Sequence, residues 1–414
     1  MNFLLIANND HDGVGQVAIN LCKNLISKRH KSKLIVLHKN SNNNFIKKIK
    51  RSLFARIFLY ILEFFKKKHL ELFGFGYSVV HFQELKKYLD KVDVVIIFTF
   101  YKILSNRNLE KILKAKKIVY FRPLDIELAT GGCHFNQNCS KFKNSCKLCP
   151  KIHFNSFFNL PFRNQIEKKR IFEKYKPKIF TQNNYVQKIF KQSTIFKNAN
   201  LKPIFLGTSK NRSKFYSKAY ARKKLKINTE EKIILFGAFD LNSKIKGADL
   251  LIKSLKILDK KISDKSLNIR LVTIGNKNNF SLNLSKIKWT HLGLISSDKK
   301  LNLIYRSSDV LVCPSLSCFG PHIVSEALMN DLPVVAFDSG VAKDTIIQGK
   351  NGFLVKSFDL KQYANSIYKI LMKKKKTTSD KSILRIKKIC NSNYEVERII
   401  NISQEDLIKS KNLN

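Results

Sequence analysis

The stretch from Thr130 to Pro150 holds Cys133, Cys139, Cys146 and Cys149. Thiolates are strong ligands for a soft cation, and Cys146-x-x-Cys149 has the spacing of half a zinc knuckle. Five residues separate Cys133 from Cys139, so the first half is irregular. Four thiolates close a tetrahedral shell, so a zinc held here would be structural. Reduced thiols or an oxidisable pair are the plainer alternative. Asp125 ends an apolar run, where a carboxylate can face a cleft or simply cap a turn. His134 follows the glycines 131 and 132 and is a candidate to line the same cleft. Near the start, Gly13-x-Gly15-x-x-Ala18 matches the dinucleotide fingerprint on paper. That fingerprint also needs an acid after the second strand, to hold a ribose. Here the run Leu34 to Leu37 ends in His38 and Lys39. A nicotinamide-dependent oxidoreductase is therefore an alternative with a named defect.

The richest stretch runs from Asp309 to Val355, DVLVCPSLSCFGPHIVSEALMNDLPVVAFDSGVAKDTIIQGKNGFLV. Val310 to Cys313 is a buried strand, Leu316 to Gly320 a loop, and Pro321 suits the first turn of a helix. Glu326 is the one acid of that helix. Pro333 to Phe337 and Phe353 to Val355 are further strands, and Gly349 and Gly352 permit the turn between them. Strand–loop–helix units of this kind build a parallel sheet, with ligands bound outside the carboxyl ends of its strands. A loop that enters a helix N-terminus can also hold an anion through its N–H groups.

Other elements must position these residues. Asn2 to Ala7 reads as a strand, Asn8 to Gln16 as a loop, and Val17 to Ser27 as a helix. Strands are expected at Val92 to Thr99, Lys117 to Arg122, Phe180 to Gln182, Lys232 to Phe236 and Ile269 to Ile274, with a last helix over Tyr394 to Lys409.

Together the segments PSLSCFGPHIVSEAL, NDLPVVAF, DSG and GKNGFLV resemble the nucleotide-sugar site of retaining glycosyltransferases of the GT-B fold, specifically glycosyltransferase family 4. TGGCH, with later cysteines and a C-x-x-C-P, resembles an exopolysaccharide-type subgroup of that family. The resemblance implies an α/β fold with two Rossmann-like domains facing across a cleft. It assigns residues 1–205 to an acceptor-side domain with a Cys-rich loop at 130–150, residues 206–390 to a nucleotide-sugar domain, and residues 391–414 to a helix crossing back. It implies that Glu326 binds the donor ribose and that Lys246, followed by Gly247 and assisted by Lys244, binds the diphosphate. Backbone N–H groups after Gly320 and Pro321 would share that charge. Gly13 and Gly15 would line the cleft near the donor phosphates. Where the family carries a first Glu toward the donor sugar, this chain has Ser317 or Cys318. Where the subgroup carries a His before Asp125, it has Leu124. Asp125, His134 and Lys246 are the expected catalytic set. The implied reaction transfers a sugar from a nucleotide-diphospho-sugar to a glycan or lipid-linked acceptor in cell-surface polysaccharide synthesis. No metal cofactor is expected for catalysis. A catalytically weak, nucleotide- or partner-binding relative is the alternative that the two departures motivate.

The formal charge is +48, from 78 Lys and Arg against 30 Asp and Glu, and 44% of residues are hydrophobic. Such composition can bury sizeable cores and is not that of a disordered chain. The charge points toward anionic partners. It runs along the whole chain, and no RNP pair or His-containing zinc finger accompanies it, so nucleic acid is not an expected partner. A basic membrane- or nucleic-acid-binding module remains a third alternative. Lys47 to His69, KKIKRSLFARIFLYILEFFKKKH, places an apolar run between basic clusters. It is shorter than the ~18–20 residues of a membrane span and fits a helix lying in a headgroup layer. An ordinary packed helix is the competing reading. Phe3 to Ala7 is too short for a secretory signal. A cytoplasmic location is expected, with peripheral contact at the inner face of an anionic membrane left open.

Overall fold

The computed structural model describes residues 1–63, 73–115, 117–136, 139–152, 159–209, 214–262, 267–278, 280–316, 319–373 and 380–412. The chain divides into two compact units, Met1–Phe205 with Val396–Asn414, and Leu206–Glu395.

In the first unit the strands are β1 (Asn2–Asn9), β2 (Lys31–His38), β3 (Ile46–Lys48), β4 (Val94–Ile97), β5 (Ile118–Phe121), β6 (Lys178–Thr181) and β7 (Leu201–Pro203). They form one sheet in the order β3-β2-β1-β4-β5-β6-β7. All pairings are parallel, with Leu5 opposite Leu34 on one side and Ile96 on the other. Both faces of such a sheet are covered, which is why its strands read as unbroken apolar runs rather than alternating ones. The helices are α1 (Gly13–Ser27), α2 (Leu53–Glu63), α3 (Phe82–Leu89), α4 (Asn106–Lys114), α5 (Leu160–Tyr175) and α6 (Asn184–Gln192). Helix starts are set by short polar caps: Ser105 accepts from Asn108 N–H and Asn183 from Val186 N–H.

The second unit contains α7 (Lys218–Leu225), β8 (Lys232–Asp240), α8 (Ala248–Lys261), β9 (Ile269–Asn276), β10 (Ile287–His291), α9 (Asp298–Ser307), β11 (Val310–Cys313), α10 (His322–Met329), β12 (Val334–Phe337), α11 (Gly340–Thr345), β13 (Gly352–Val355), α12 (Leu360–Met372) and α13 (Lys381–Ile389). Its sheet is also parallel, in the order β10-β9-β8-β11-β12-β13. Counted from β8, this is the doubly wound order, which reverses between β8 and β11.

The last helix, α14 (Ser392–Lys411), begins in the second unit and continues into the first. Val396 and Ile399 are fully buried there, in the cluster that holds Phe3, Leu5, Ala18 and Val94. Tyr120 donates to Asp406 at 2.7 Å. The helix is therefore part of the first unit's core rather than a covering piece.

Among the described residues no helix is long and apolar enough to cross a membrane. One expectation is corrected locally. Gly13 and Gly15 do not lie in a loop but form the first turn of α1, because Asp12 caps the helix by accepting from Gly15 N–H at 2.7 Å.

Candidate functional site

In the second unit, the loops after β8, β11 and β12 meet. After β8 the chain makes a single tight turn, Lys244–Lys246, and Gly247 adopts φ +70°. A Cβ at Gly247 would stand 2.1 Å from the carbonyl oxygen of Pro314, so only glycine lets the two loops approach. Leu316 N–H donates to Ile245 O at 3.1 Å, and Ser339 Oγ donates to Ser315 O at 2.9 Å. Lys246 is half-buried at this junction, and Lys244 is exposed.

Glu326 lies one turn into α10 and is buried. Tyr305 Oη donates to its Oε2 at 2.5 Å, and His322 Nε2 stands 3.7 Å from its Oε1. A buried carboxylate needs such partners, because an unpaired one costs several kcal/mol. Tyr305 belongs to α9 and carried no sequence signal that paired it with Glu326, whereas His322 stands four residues before Glu326 on the same helix, a spacing that was available as a signal. Pro321 precedes α10 and brings no N–H, while Val324 N–H donates to Pro321 O at 2.9 Å. After Gly320, His322 and Ile323 therefore supply the N–H groups that open the helix. Ser317 and Cys318 lie outside the described residues. The structure thus gathers Lys246, Gly247 and the Pro314–Leu316 loop that leads to Glu326.

The first unit holds a second cluster, beyond β5. His134 Nδ1 and Asp125 Oδ2 are 2.7 Å apart, and His134 Nε2 is 3.7 Å from Glu127 Oε2. His134 is thus the histidine that stands beside Asp125. Asp125 keeps 22% of its side chain exposed, against 5% for His134 and 3% for Glu127. Asp125 is thus the member a ligand can reach. Tyr101 N–H donates to Glu127 Oε2 at 3.1 Å, and Glu127 N–H to Asp125 Oδ1 at 2.8 Å. Lys168, fully buried, donates to the carbonyls of Glu127 and Thr130 at 2.8 and 3.2 Å. Burial alone would lower the His134 pKa, but the carboxylates of Asp125 and Glu127 outweigh it and raise it. Burial raises that of Glu127 despite His134 and Lys168. The sequence reading missed Glu127 and Lys168; an acid two residues past Asp125 was the available signal for the first.

Gly13 and Gly15, at the start of α1, differ in what surrounds them. A Cβ at Gly15 would meet Asn9 O at 2.4 Å, whereas nothing lies within 4 Å of one at Gly13. The Asp12 carboxylate already satisfies Gly15 N–H.

Cys133, Cys139, Cys146 and Cys149 all line one cavity of about 10 Å³. Gly131 N–H donates to Cys146 Sγ at 3.3 Å, and burial pushes that thiol up to about 12. Zinc–sulfur bonds of about 2.3 Å would draw four sulfurs closely together. Among the described residues, the group that brings three ligand atoms within 4.8 Å of one another is Asp125, Glu127 and His134 instead. The cysteines therefore fit a zinc by type and by their common cavity, and they stand more widely spaced than a filled shell requires.

Residues 217–382 match the family described as glycosyl transferases group 1. An uncharacterized glycosyltransferase of Haemophilus influenzae is 27% identical over 160 residues, 37% of this chain and 43% of that protein. The spore coat protein SA of Bacillus subtilis is 30% identical over 162 residues, 35% of this chain and 41% of that protein. The matches thus span about two fifths of these relatives' length. Over the whole chain, the fold is similar to sucrose-phosphate synthase from Thermosynechococcus elongatus (TM-score 0.67, 15% identity, 99% of this chain and 100% of that one). It is similar also to Anabaena HepE in complex with UDP-glucose (0.63, 13%, 99% and 100%). WaaG, a glycosyltransferase involved in lipopolysaccharide biosynthesis, gives 0.60 at 13% identity over 95% and 94%. The chain has the α/β fold of GT-B glycosyltransferases, with two Rossmann-like halves, and residues 217–382 of its second unit match the glycosyl transferases group 1 family.

Proposed function

We propose that this chain is a retaining glycosyltransferase that moves a sugar from a nucleotide-diphospho-sugar to a glycan or lipid-linked acceptor in cell-surface polysaccharide synthesis. One observation carries the reading. In the group 1 domain, the loop bearing Lys246 and Gly247 is bonded to the loop that leads into the helix of Glu326. Lys246 then neutralises the donor diphosphate as charge develops on the leaving group. N–H groups of the first turn of α10 add to that electrostatic support. Glu326, oriented by Tyr305, accepts from the donor ribose. The leaving diphosphate takes the acceptor proton on the same face, so no protein nucleophile is needed. In the first unit, Asp125 presents a carboxylate held by His134 and contacts the acceptor. Zinc at Cys133, Cys139, Cys146 and Cys149 belongs to the reading as a structural staple; their shared cavity supports it.

The solved structure of Anabaena HepE holds UDP-glucose, and that of WaaG is of a glycosyltransferase involved in lipopolysaccharide biosynthesis. The first supports a sugar nucleotide as donor and the second a surface glycan as destination. The test measures release of nucleoside diphosphate from a panel of sugar nucleotides, with lipid extract as acceptor. Release that needs both donor and extract is expected. Donor binding without release from any sugar nucleotide would favour the catalytically weak reading, which Ser317 and Cys318 motivate.

Peripheral membrane contact is part of the proposal. On α2, Phe54 is 85% exposed, and Phe58 and Ile61 are exposed as well. Basic residues Lys47, Lys48, Lys50 and Arg51 precede the helix. Each cation near an anionic leaflet adds roughly 1 kcal/mol of attraction. Sedimentation with phosphatidylglycerol vesicles should pull the protein down at low salt, and vesicles of phosphatidylcholine should not.

A further inference from the structure

A cavity of about 400 Å³ opens in the first unit, between the carboxyl end of β2, the helix α2 and the segment after β4. This is much larger than the spaces beside Asp125 or among the cysteines, each about 10 Å³. Its walls have two chemistries. Leu37, Leu59 and Val79 make an apolar floor, and Leu53 and Ile57 continue it along α2. Leu53, Arg56, Ile57 and Tyr60 recur at helical spacing, so one side of α2 faces the cavity. The polar side carries the cations Arg51, Arg56 and Lys102, with the imidazole of His38 beside them. Among the described residues that line it there is no acid.

The cationic wall is built into the fold. Lys102 has φ +61°, a conformation that costs a non-glycine residue energy. Val79 N–H, donating to Lys102 O at 2.8 Å, helps hold it there. The Lys102 ammonium lies 5.0 Å from the ring of Tyr101. His38 reports the local potential. Burial, and then the positive charges of Arg51, His11, Lys48 and Lys102, hold its pKa below the ordinary imidazole value.

A free inorganic anion would find the cations but gain nothing from the apolar floor. An uncharged chain would fill the floor and leave the like charges opposed. A flat lipid surface would meet the outer side of α2 and not enter a concave pocket. We propose that the pocket binds an anionic amphiphile, a lipid phosphate or diphosphate, with the phosphate among Arg51, Arg56 and Lys102 and the first methylenes along Leu53, Ile57 and Leu59. The remaining chain leaves over the exposed apolar side of α2, past Phe54 and Phe58. This names the acceptor's lipid carrier, and it rests on the glycosyltransferase reading only in calling that lipid a substrate.

The test titrates the full chain with dodecyl phosphate below its aggregation concentration, by calorimetry. Inorganic pyrophosphate and dodecyl maltoside are the two comparison ligands. Dodecyl phosphate should bind about tenfold or more tightly than either, since a charge-assisted contact and burial of several methylenes each contribute at that level. The double variant R51Q/R56Q should lose about tenfold for dodecyl phosphate. Ile57→Ser, which removes apolar contact without adding charge, should weaken dodecyl phosphate and leave pyrophosphate unchanged. If the double variant does not fold, Lys102→Gln is read in its place, with circular dichroism as the control. His38, followed by proton chemical shift, should titrate at higher pH with dodecyl phosphate bound. Equal binding of dodecyl maltoside, equal binding of pyrophosphate, or indifference to the Arg51 and Arg56 changes would each overturn the proposal. Sugar-nucleotide binding by the same variants separates the two readings. A chain that binds dodecyl phosphate as described but no sugar nucleotide keeps the pocket and loses the transfer reaction.

Discussion

His134 Nδ1 stands 2.7 Å from Asp125 Oδ2, joining residues nine positions apart in the chain across a turn that carries Thr130 to Cys133. The imidazole is buried and the carboxylate is partly open, so the pair presents one oriented acid oxygen to a ligand. Asp125→Asn should keep the fold and lower kcat for sugar transfer about 100-fold, within the range for a positioned acid or base. His134→Asn should lower kcat by a similar factor. Transfer assays at saturating donor check this; wild-type kcat in Asp125→Asn would remove it from the chemistry.

Lys246 is expected to act on the donor alone. Lys246→Ala should weaken sugar-nucleotide binding by about tenfold or more, the worth of one charge-assisted contact to phosphate. Affinity for dodecyl phosphate should not change. Calorimetric titration with both ligands separates the effects.

Tyr305 holds Glu326, and the bond is buried. Tyr305→Phe leaves the carboxylate short of a donor, which should cost about 1–3 kcal/mol of stability. It should also raise KM for the donor more than it lowers kcat. Urea denaturation and steady-state kinetics read the two consequences.

Asp10 is buried and accepts from Asn40 N–H, Ser41 N–H and Ser41 Oγ, at 2.9, 2.9 and 2.7 Å. Burial alone would raise its pKa, yet these bonds together bring it below the ordinary value of 3.8. A depressed carboxyl stabilises the fold above its unfolded pKa and ceases to do so as pH falls through the folded one. Asp10→Asn should therefore destabilise by about 1–3 kcal/mol at neutral pH. The gap between variant and wild type should shrink below about pH 4. Thermal melts across pH 3 to 7 test the sign.

The cysteine cavity makes a metal prediction. Protein purified without added metal should carry about one zinc per chain by elemental analysis. Cys146→Ser should lower both zinc content and Tm, and chelation should lower the wild-type Tm. A metal-free chain with unaltered Tm would leave these residues as plain thiols.

Much of the second unit could be read before any coordinates, because buried parallel strands write themselves as apolar runs. Val310–Cys313 is identical in sequence reading and structure, and Pro333 is the single residue by which β12 differs. Lys246-Gly247 came from the family resemblance, which places a lysine and a glycine after the polar loop of this strand, and the positive φ of Gly247 is the physical reason for that glycine. The first unit was less legible. The loop expected over Asn8 to Gln16 yields to a helix start at Gly13, because the Asp12 carboxylate caps the first turn by accepting from Gly15 N–H. Only part of the basic amphipathic segment, through residue 63, lies within the described residues.

The amino-acid order alone determined the α/β class, the positions of most strands, and the loops that carry Lys246 and Glu326. Those follow from local chemistry, since apolar runs, caps and glycines act over a few residues. Partnership was decided by tertiary structure. His134 meets Asp125 and Glu127, Tyr305 reaches Glu326, and Arg51 and Lys102 share a pocket with Leu37. Tyr305 and Glu326 come from different helices, and Arg51, Lys102 and Leu37 from separate segments, so their distances depend on how the crossovers pack on a sheet. Asp125, Glu127 and His134 belong to one loop, and its turn brings them together.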